Sequence, residues 1–160
     1  MINIVVALEK NHGIGLNGFM PWPHLLHDVK WFRDITKNNV IIMGSATWES
    51  ISCLKLPERI NIVISSHEWP GADHCFETPI QAIQHCSKLY PDSEIFIIGG
   101  QQMYDSTMQL AERFYITEID KNYKCDRFFN LDYVTQNCKN IKIHAVYTDP
   151  IPYTIKEYSN

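Results

Sequence analysis

The sequence predicts an α/β fold, a single-domain three-layer sandwich in which helices cover both faces of a mostly parallel central sheet. Short apolar runs rich in β-branched residues recur along the first 100 residues, and stretches with helical spacing separate them. Strands that alternate with helices in this way form parallel sheets through right-handed crossovers. After residue 110 the pattern changes to alternating strands, which predicts an antiparallel C-terminal edge.

Four runs are predicted strands, each short enough to be buried on both faces: residues 4–8, 40–43, 60–64 and 95–98. The predicted helices cover residues 25–35, the stretch that follows Gly44 and runs to Ile51, residues 80–89, and the stretch that follows Gly100 and runs to Leu110. The alternating segments 114–117, 142–147 and 153–156 complete the sheet, with a turn at 149–152.

Composition narrows the functional classes. The 160 residues suit one domain spanning residues 1–160, and a net charge of −4 gives no sign of a nucleic-acid partner. No segment approaches the ~20 apolar residues of a membrane span, and no export signal is visible. The five cysteines are scattered without metal-binding spacing, so we expect reduced thiols, no metal site and a cytoplasmic monomer.

One carboxylate lies on an apolar helix face. In the predicted helix 25–35, Leu25, Asp28 and Phe32 share a face that Val29 and Ile35 extend. Burial there would raise the pKa of Asp28 above the usual value of about 3.9, as is typical of a residue that manages a proton. The alternative is a surface carboxylate, or one in the first helical turn that the helix dipole favours.

The segment 11–23 precedes this helix and has the composition of a lid. It contains three glycines among apolar residues, and its prolines lie at the exit, on either side of Trp22. Such a loop is free to move in its middle while Trp22 anchors it. The alternative is an ordinary loop that covers part of the core.

Two strand-to-helix junctions carry small residues, at 44–47 and at 99–102. Free backbone N–H groups at such helix starts bind phosphate, and two neighbouring sites would suit a pyrophosphate. The alternative at each is tight-turn chemistry, since neither matches a full phosphate-loop pattern. Ser65 and Ser66 end the third strand, where a ribose or its 2′-phosphate would lie unless they form a simple turn.

Arg59 follows a Leu-Pro-Glu sequence and precedes the third strand. Its guanidinium could clamp a carboxylate in bidentate fashion. The alternative is a surface ion pair with Glu58 or Glu49, which would contribute little.

In their order and spacing these motifs resemble the dihydrofolate reductase family from one end of the chain to the other. The motifs are Ile14-Gly15, Met20-Pro21-Trp22, Asp28 ahead of Trp31-Phe32, Met43-Gly44-x-x-Thr47-Trp48-Glu49-Ser50-Ile51, Leu56-Pro57-x-Arg59-x-Asn61-Ile62-Val63, Ile64-Ser65-Ser66, Ile97-Ile98-Gly99-Gly100 with Tyr104, and Tyr115-Ile116-Thr117-x-Ile119-Asp120.

The resemblance implies reduction of 7,8-dihydrofolate, with Asp28 hydrogen-bonded to the pterin and favouring protonation at N5 while hydride reaches C6. It implies that water enters near Trp22 and Met20, whose loop closes over the nicotinamide, and that antifolates also bind. Besides Asp28, the implied substrate-binding residues are Val6, Ala7, Val29, Phe32, Ile51, Arg59 (for the glutamate tail), Ile98, Tyr104 and Thr117.

The resemblance also implies a cofactor site, and here the chain departs from the family. Relatives commonly carry basic residues at the positions of Ser45, Ala46 and Gln102, so NADPH stays the favoured cofactor and NADH the alternative. Gln101 replaces a small residue, and one residue is inserted between Ser50 and Arg59. The implied cofactor-binding residues are Ala7, Ile14, Gly15, Met20, Gly44, Ser45, Ala46, Thr47, Ser65, Ser66, Gly99, Gly100, Gln101, Gln102 and Tyr104.

Two other functions compete with this hypothesis. A reductase of the same fold that acts on a flavin-pathway pyrimidine would share the cofactor junctions but would not need Asp28 or Arg59. A non-catalytic nucleotide-binding module would not need a lone acid beneath a closing loop. Phosphoryl transfer and metal hydrolysis are disfavoured because their sequence motifs are absent.

Overall fold

The computed structural model describes all 160 residues. It contains ten strands and five α-helices. The strands are β1 (Ile2–Leu8), β2 (Gly13–Gly15), β3 (Val40–Gly44), β4 (Ile60–Ile64), β5 (His74–Phe76), β6 (Ile95–Gly99), β7 (Arg113–Ile119), β8 (Arg127–Phe128), β9 (Asn140–Tyr147) and β10 (Tyr153–Ser159). The helices are α1 (Leu26–Thr36), α2 (Ser45–Ser50), α3 (Pro79–Leu89), α4 (Gln101–Thr107) and α5 (Leu131–Asn137).

Eight strands form the central sheet, in the order β5-β4-β3-β6-β1-β7-β10-β9. The first six in that order are mutually parallel, while β10 runs antiparallel to both β7 and β9. The expected antiparallel edge is therefore present. It begins at β10, because β7 pairs in parallel with β1 on its other side.

The sheet is covered on both faces. One core cluster contains Ala82 of α3, Met103 of α4 and Val134 of α5 against strand residues. On the opposite face, Leu25 at the entry to α1 and Trp48 of α2 belong to two further clusters. Strands β3, β4 and β6 have no exposed residue, as expected for parallel strands covered on both faces. The predicted three-layer α/β sandwich is confirmed.

Four short elements were not predicted: β2, β5, β8 and α5. The three strands have two or three residues each, too few for alternation to be recognised. Helix α5 has seven residues, and its start is fixed by Asn130, whose side chain accepts a hydrogen bond from Tyr133 N at 3.2 Å. None of the helices has both the length and the apolar character needed to cross a membrane.

Candidate active site

Asp28 and Thr117 meet between α1 and the sheet. Asp28 is the third residue of α1, and Thr117 lies in β7. Thr117 Oγ1 donates a hydrogen bond of 2.5 Å to Asp28 Oδ1. Burial raises the pKa of the Asp28 carboxyl, and the Thr117 hydrogen bond opposes that rise. Asp28 is thus a partly buried acid held in one orientation, rather than a surface carboxylate.

Strand register builds the floor beneath Asp28. Thr117 pairs with Ala7 of β1 on one side and with Ile155 of β10 on the other. Two residues further along β7, Ile119 pairs with Tyr153. Because side chains two apart on a strand share a face, these residues line one surface below α1. The acid therefore faces an apolar floor, and the Thr117 hydroxyl is its hydrogen-bonding neighbour there.

The loop before α1 is held firmly at its base and exposed at its tip. Strand β2, inside the loop, pairs with β8, and Asp126 N donates to Gly15 O at 2.8 Å. Asp126 Oδ2 accepts from Asn17 N at 3.1 Å. Beyond this point Phe19 and Met20 are 68% and 63% exposed. Only the tip of the segment is thus available to cover a ligand.

At the other end of this loop, Trp22 is buried in the cluster that contains Leu25 and Tyr153. Its ring meets the Tyr123 ring edge-on, with a centroid distance of 6.1 Å. The expected anchoring of the loop at Trp22 is therefore seen in the structure.

The sequence analysis missed Glu9, a fully buried carboxylate next to this loop. Glu9 Oε1 accepts hydrogen bonds from Asn11 N and Gly13 N, both at 2.8 Å, and Oε2 accepts from Tyr123 N at 3.1 Å. A Cβ at Gly13 would lie 2.4 Å from Cys125 Sγ, so only glycine fits there. A carboxylate directly after a buried strand was the signal that could have identified Glu9.

The two glycine junctions lie side by side in the structure. Strands β3 and β6 are neighbours, with Met43 paired to Gly99, and they lead into α2 and α4. Neither helix start has a side-chain cap, so backbone N–H groups are free at both. A Cβ at Gly99, where φ is +137°, would lie 3.2 Å from Thr47 Oγ1. The Thr47 hydroxyl therefore reaches the adjacent junction.

Ser65 and Ser66 follow β4, the next strand outward from β3. Ser65 N donates to Phe76 O at 2.8 Å, and Ser65 Oγ accepts from His67 N at 3.1 Å. The serines thus continue the same sheet edge as the glycine junctions. Along that edge Ser45 is half-buried, and Ala46, Ser66 and Gln102 are exposed.

Gln101 has an unexpected role, which its position in the sequence did not reveal. Its side-chain Oε1 accepts a hydrogen bond of 2.8 Å from Phe128 N in β8. Strand β8 in turn pairs with β2 of the loop before α1. The larger side chain at this position therefore connects the start of α4 with that loop.

Arg59 forms neither of the surface ion pairs considered from the sequence; Glu58 instead pairs with Lys37 at 3.7 Å. Arg59 Nε donates to Pro57 O at 2.9 Å and Nη1 donates to Thr36 Oγ1 at 3.2 Å. Its guanidinium lies 5.8 Å from the centroid of the Phe32 ring. Burial lowers the pKa of Arg59, which the Glu58 charge opposes. Arg59 is thus a cation fixed beside α1.

The segment between Ser50 and Arg59, in which the resemblance implies one inserted residue, begins with a turn after α2. Ser52 and Cys53 have φ values of +63° and +54°, a left-handed conformation that is uncommon outside glycine.

Other predicted site residues divide between the two faces of the sheet. Val5, Ile51 and Ile98 pack in part on the cluster that contains Trp48 and faces α1 and α2. Val6 belongs to the core on the opposite face, so the alternation of β1 directs Val5 and Ala7, and not Val6, toward α1. Val29 is 47% exposed on α1.

Tyr104 is buried at the start of α4, and burial raises its pKa. Its hydroxyl donates to Val5 O at 2.8 Å. A Cβ at Gly99 would lie 3.3 Å from this hydroxyl, so Tyr104 supports the end of β6 from below. Ile14 of β2 packs in part on the same core cluster as Tyr104. No group of three or more His, Cys, Asp or Glu side chains could hold a metal ion.

Comparison with known proteins identifies the family. A family model described as dihydrofolate reductase matches residues 1–160. The dihydrofolate reductase of Buchnera aphidicola subsp. Acyrthosiphon pisum (strain APS) is 41% identical over 129 residues, which cover 80% of this chain and 78% of that protein. The dihydrofolate reductase of Bacillus subtilis (strain 168) is 35% identical over 130 residues, covering 81% and 75%.

A solved structure agrees in fold. It is the dihydrofolate reductase from Enterococcus faecalis complexed with NADP(H) and RAB-propyl, with a TM-score of 0.85 and 23% sequence identity, covering 99% of this chain and 95% of that chain. The resemblance inferred from the sequence motifs is therefore confirmed, and the chain belongs to the dihydrofolate reductase family.

Proposed function

We propose that this chain reduces 7,8-dihydrofolate to 5,6,7,8-tetrahydrofolate with NADPH and that Asp28 is its catalytic acid. The observation that carries the proposal is the Asp28–Thr117 pair on an apolar floor. In the reaction, hydride is added to C6 and a proton to N5, so the product gains two hydrogens. A carboxyl group with a raised pKa suits this proton delivery near neutral pH.

In this proposal Asp28 binds the 2-amino group and the adjacent ring nitrogen of the pterin. The Thr117 hydroxyl keeps the carboxyl in the orientation that this contact needs. Trp22 anchors the loop whose exposed tip carries Met20. When that tip closes, it excludes bulk water, and the only water admitted is the one that carries a proton to N5.

Exposed apolar side chains on three segments support a substrate cleft around Asp28. They are Phe19 and Met20 in the loop, Leu26 and Val29 on α1, and Leu54 after α2, each between 47% and 68% exposed. Exposed apolar side chains of this size are typical of ligand grooves. We propose that Val29, Phe32, Ile51 and Ile98 contact the pterin and aminobenzoyl groups, that Arg59 binds the glutamate tail, and that Ala7 and Tyr104 complete the substrate site. The side chain of Val6 lies on the opposite face of the sheet and takes no part in it.

The same edge of the sheet suits the cofactor. Bound NADPH supplies the hydride, and the two uncapped helix starts at Gly44 and Gly99-Gly100 offer free N–H groups for its pyrophosphate. Thr47, Ser65 and Ser66 offer hydroxyl groups beside them. The proposed cofactor-binding residues also include Ala7, Ile14, Gly15, Met20, Ser45, Ala46, Gln101, Gln102 and Tyr104. Because no lysine or arginine occurs among them, we propose weak discrimination between NADPH and NADH.

Three coarser features complete the proposal. We propose that residues 1–160 form one domain, since one sheet runs from β5 to β9 across all three layers. We propose a cytoplasmic monomer, which the five free cysteines fit. Antifolates that carry the substrate's pattern of hydrogen-bond donors would occupy the Asp28 site.

The test is an assay of purified protein with dihydrofolate, following oxidation of NADPH and then NADH by the loss of reduced-nicotinamide absorbance. A reaction without dihydrofolate is the control. Dihydrofolate-dependent oxidation is expected with both cofactors, faster with NADPH. Folded protein that oxidises neither would overturn the proposal and favour the pyrimidine reductase or the nucleotide-binding module.

A further inference from the structure

Tyr153 has a buried hydroxyl group that the mechanism above does not use. The residue is 1% exposed, and its Oη atom forms no hydrogen bond of good geometry with the protein. A buried hydroxyl without a partner is costly, so this atom requires an explanation.

The first turn of α1 lacks a hydrogen-bond acceptor for one of its backbone N–H groups. Its N-cap residue is Leu25, which has no side-chain acceptor, and no cap hydrogen bond is formed. Asp28 is the third residue of the helix, the position whose N–H a Ser, Thr or Asp cap would normally satisfy. No acceptor takes the Asp28 N–H among the hydrogen bonds of the structure. An unpaired donor and an unpaired hydroxyl thus occur in the same region.

Strand register places these two groups close together. Tyr153 pairs with Ile119, and two residues further on Ile155 pairs with Thr117, so Tyr153 and Thr117 lie in adjacent rows of the same face. Thr117 already reaches the Asp28 carboxyl from that face. Burial and the Asp28 charge raise the pKa of Tyr153, and the nearby Asp28 backbone N–H opposes that rise. Both the side chain and the main chain of Asp28 therefore affect the pKa of the Tyr153 phenol.

Two further rings fix the position of this phenol. The Tyr147 ring lies 5.1 Å from the Tyr153 ring, and the His27 ring stacks on Tyr147 at 4.4 Å with an interplanar angle of 5°. The titratable groups that act on Tyr153 are thus Asp28 from α1 and Tyr147 from β9, and His27 of α1 stacks on Tyr147. This stack leaves the Tyr153 side chain little freedom to turn away from the helix.

We propose that Tyr153 is a positioning residue for Asp28, with its phenol oxygen serving as the cap acceptor that the first turn of α1 lacks. Capping the Asp28 N–H fixes the main chain at that residue, and Thr117 then fixes the carboxyl. This inference rests on the proposed function only for its consequence on turnover, because capping the helix does not require substrate.

The test compares Tyr153→Phe with Tyr147→Phe. Each variant removes one hydroxyl, but only the first removes the group next to Asp28. We expect Tyr153→Phe to lower kcat/KM by roughly 3- to 30-fold, the factor that corresponds to loss of a helix cap. We expect Tyr147→Phe to stay within about 2-fold of the unchanged enzyme, since the phenyl ring keeps its packing against Tyr153 and His27.

The pH profile separates positioning from a merely structural effect. Without the phenol, the Asp28 carboxylate loses a polar neighbour, so the apparent pKa in the kcat/KM profile should rise in Tyr153→Phe and stay unchanged in Tyr147→Phe. The pKa of Asp28 can also be followed by carboxyl ¹³C NMR without substrate, with Asp28→Asn assigning the signal. The NMR result tests this inference even if the protein proves inactive with dihydrofolate.

A wild-type profile and an unchanged Asp28 signal in Tyr153→Phe would overturn the proposal. If Tyr153→Phe does not fold, amide hydrogen exchange in the unchanged protein tests whether the Asp28 N–H is capped. Protection of the Asp28 N–H beyond that of the neighbouring His27 N–H is expected for a capped donor. Equally fast exchange of both would contradict the proposal.

Discussion

Glu9 and Tyr123 join two loops through a hydrogen bond of 3.1 Å between Glu9 Oε2 and Tyr123 N. The other carboxylate oxygen holds Asn11 N and Gly13 N at the start of the loop that carries Met20. The Tyr123 segment in turn leads to Asp126, which holds Asn17 of the same loop. One fully buried side chain therefore fixes the base of the lid on two sides.

Replacing Glu9 with Gln should destabilise the protein. The Gln amide group would place N–H donors against backbone N–H donors that now share a carboxylate, leaving buried groups unsatisfied. We expect a loss of about 1–3 kcal/mol in the free energy of unfolding. Denaturant unfolding measures the loss, with the exposed Glu49→Gln as the matched control. Equal stability of the two variants would show that Glu9 contributes no more than a surface carboxylate.

Asp28→Asn should remove most of the activity but only part of the folate binding. The amide keeps the size and the Thr117 neighbour of the carboxyl, yet it cannot manage a proton. We expect turnover near neutral pH to fall by roughly 10²- to 10⁴-fold. Asp34→Asn on the exposed side of α1 is the control and should retain full activity. Near-normal turnover in Asp28→Asn would rule out the proposed role.

The same variant should be more stable than the unchanged protein at neutral pH. Because burial raises the pKa of Asp28 in the folded state, the folded protein binds a proton more readily than the unfolded chain. The stability that protonated Asp28 contributes is complete below the unfolded pKa of about 3.9 and is lost as pH rises through the folded pKa. Asn, which stays neutral, avoids this loss.

Thermal unfolding across pH measures this effect. The advantage of Asp28→Asn in Tm should be largest near pH 7 and disappear below about pH 4. Asp34→Asn is again the control, with no such pH-dependent gain. A constant difference between Asp28→Asn and the unchanged protein at every pH would contradict the raised pKa.

Arg59→Lys should weaken binding of the glutamate tail. The planar guanidinium already uses two of its N–H groups on Pro57 O and Thr36 Oγ1, which orients it, and lysine cannot reproduce that geometry. We expect KM for dihydrofolate to rise by about 10-fold or more, the factor for one charge-assisted hydrogen bond, with kcat little changed. Arg33→Lys on the exposed side of α1 is the control.

A pterin substrate without a glutamate tail provides the second comparison. With that substrate, Arg59→Lys and the unchanged enzyme should have similar KM values. A loss of equal size for both substrates would mean that Arg59 acts through α1 and not through the carboxylate.

Gln102→Arg should increase discrimination for NADPH. Gln102 is exposed at the start of α4, and a guanidinium there would supply a positive charge to the proposed 2′-phosphate site. We expect the Kd for NADPH to fall by about 10-fold while the Kd for NADH stays the same. Titration of tryptophan fluorescence measures both, and the exposed Gln109→Arg is the control. Equal tightening of both cofactors would place the phosphate elsewhere.

Much of the fold could be predicted because strong periodicity is local. The buried strands 40–43, 60–64 and 95–98 lie within a residue of the observed β3, β4 and β6. Helix α1 was predicted one residue early. The strands of two or three residues could not be predicted, because they exist only through partners distant in sequence, as β2 exists through β8.

The site residues also divide into those that local sequence predicts and those that depend on distant segments. Asp28 and Arg59 could be proposed from chemistry on a recognisable helix or strand. Tyr153 could not, because its significance depends on which backbone groups other segments leave unpaired. Glu9 was missed although it directly follows the buried strand β1. Strand alternation alone could have predicted that Val6 faces the side of the sheet opposite α1, but the site residues were taken from the motifs and not from this alternation.

In the proposed function, Gln101 links the loop that carries Met20 with the cofactor site. Its side chain belongs to α4, where the proposed pyrophosphate site begins, and it holds β8, which pairs with the base of the lid. If the tip of this loop closes over the cofactor, as proposed, a ligand that favours one placement of Gln101 also favours the loop position that goes with it. By reciprocity, the lid changes the affinity for that ligand by the same free energy, so a substitution remote from the phosphates alters how tightly they are held.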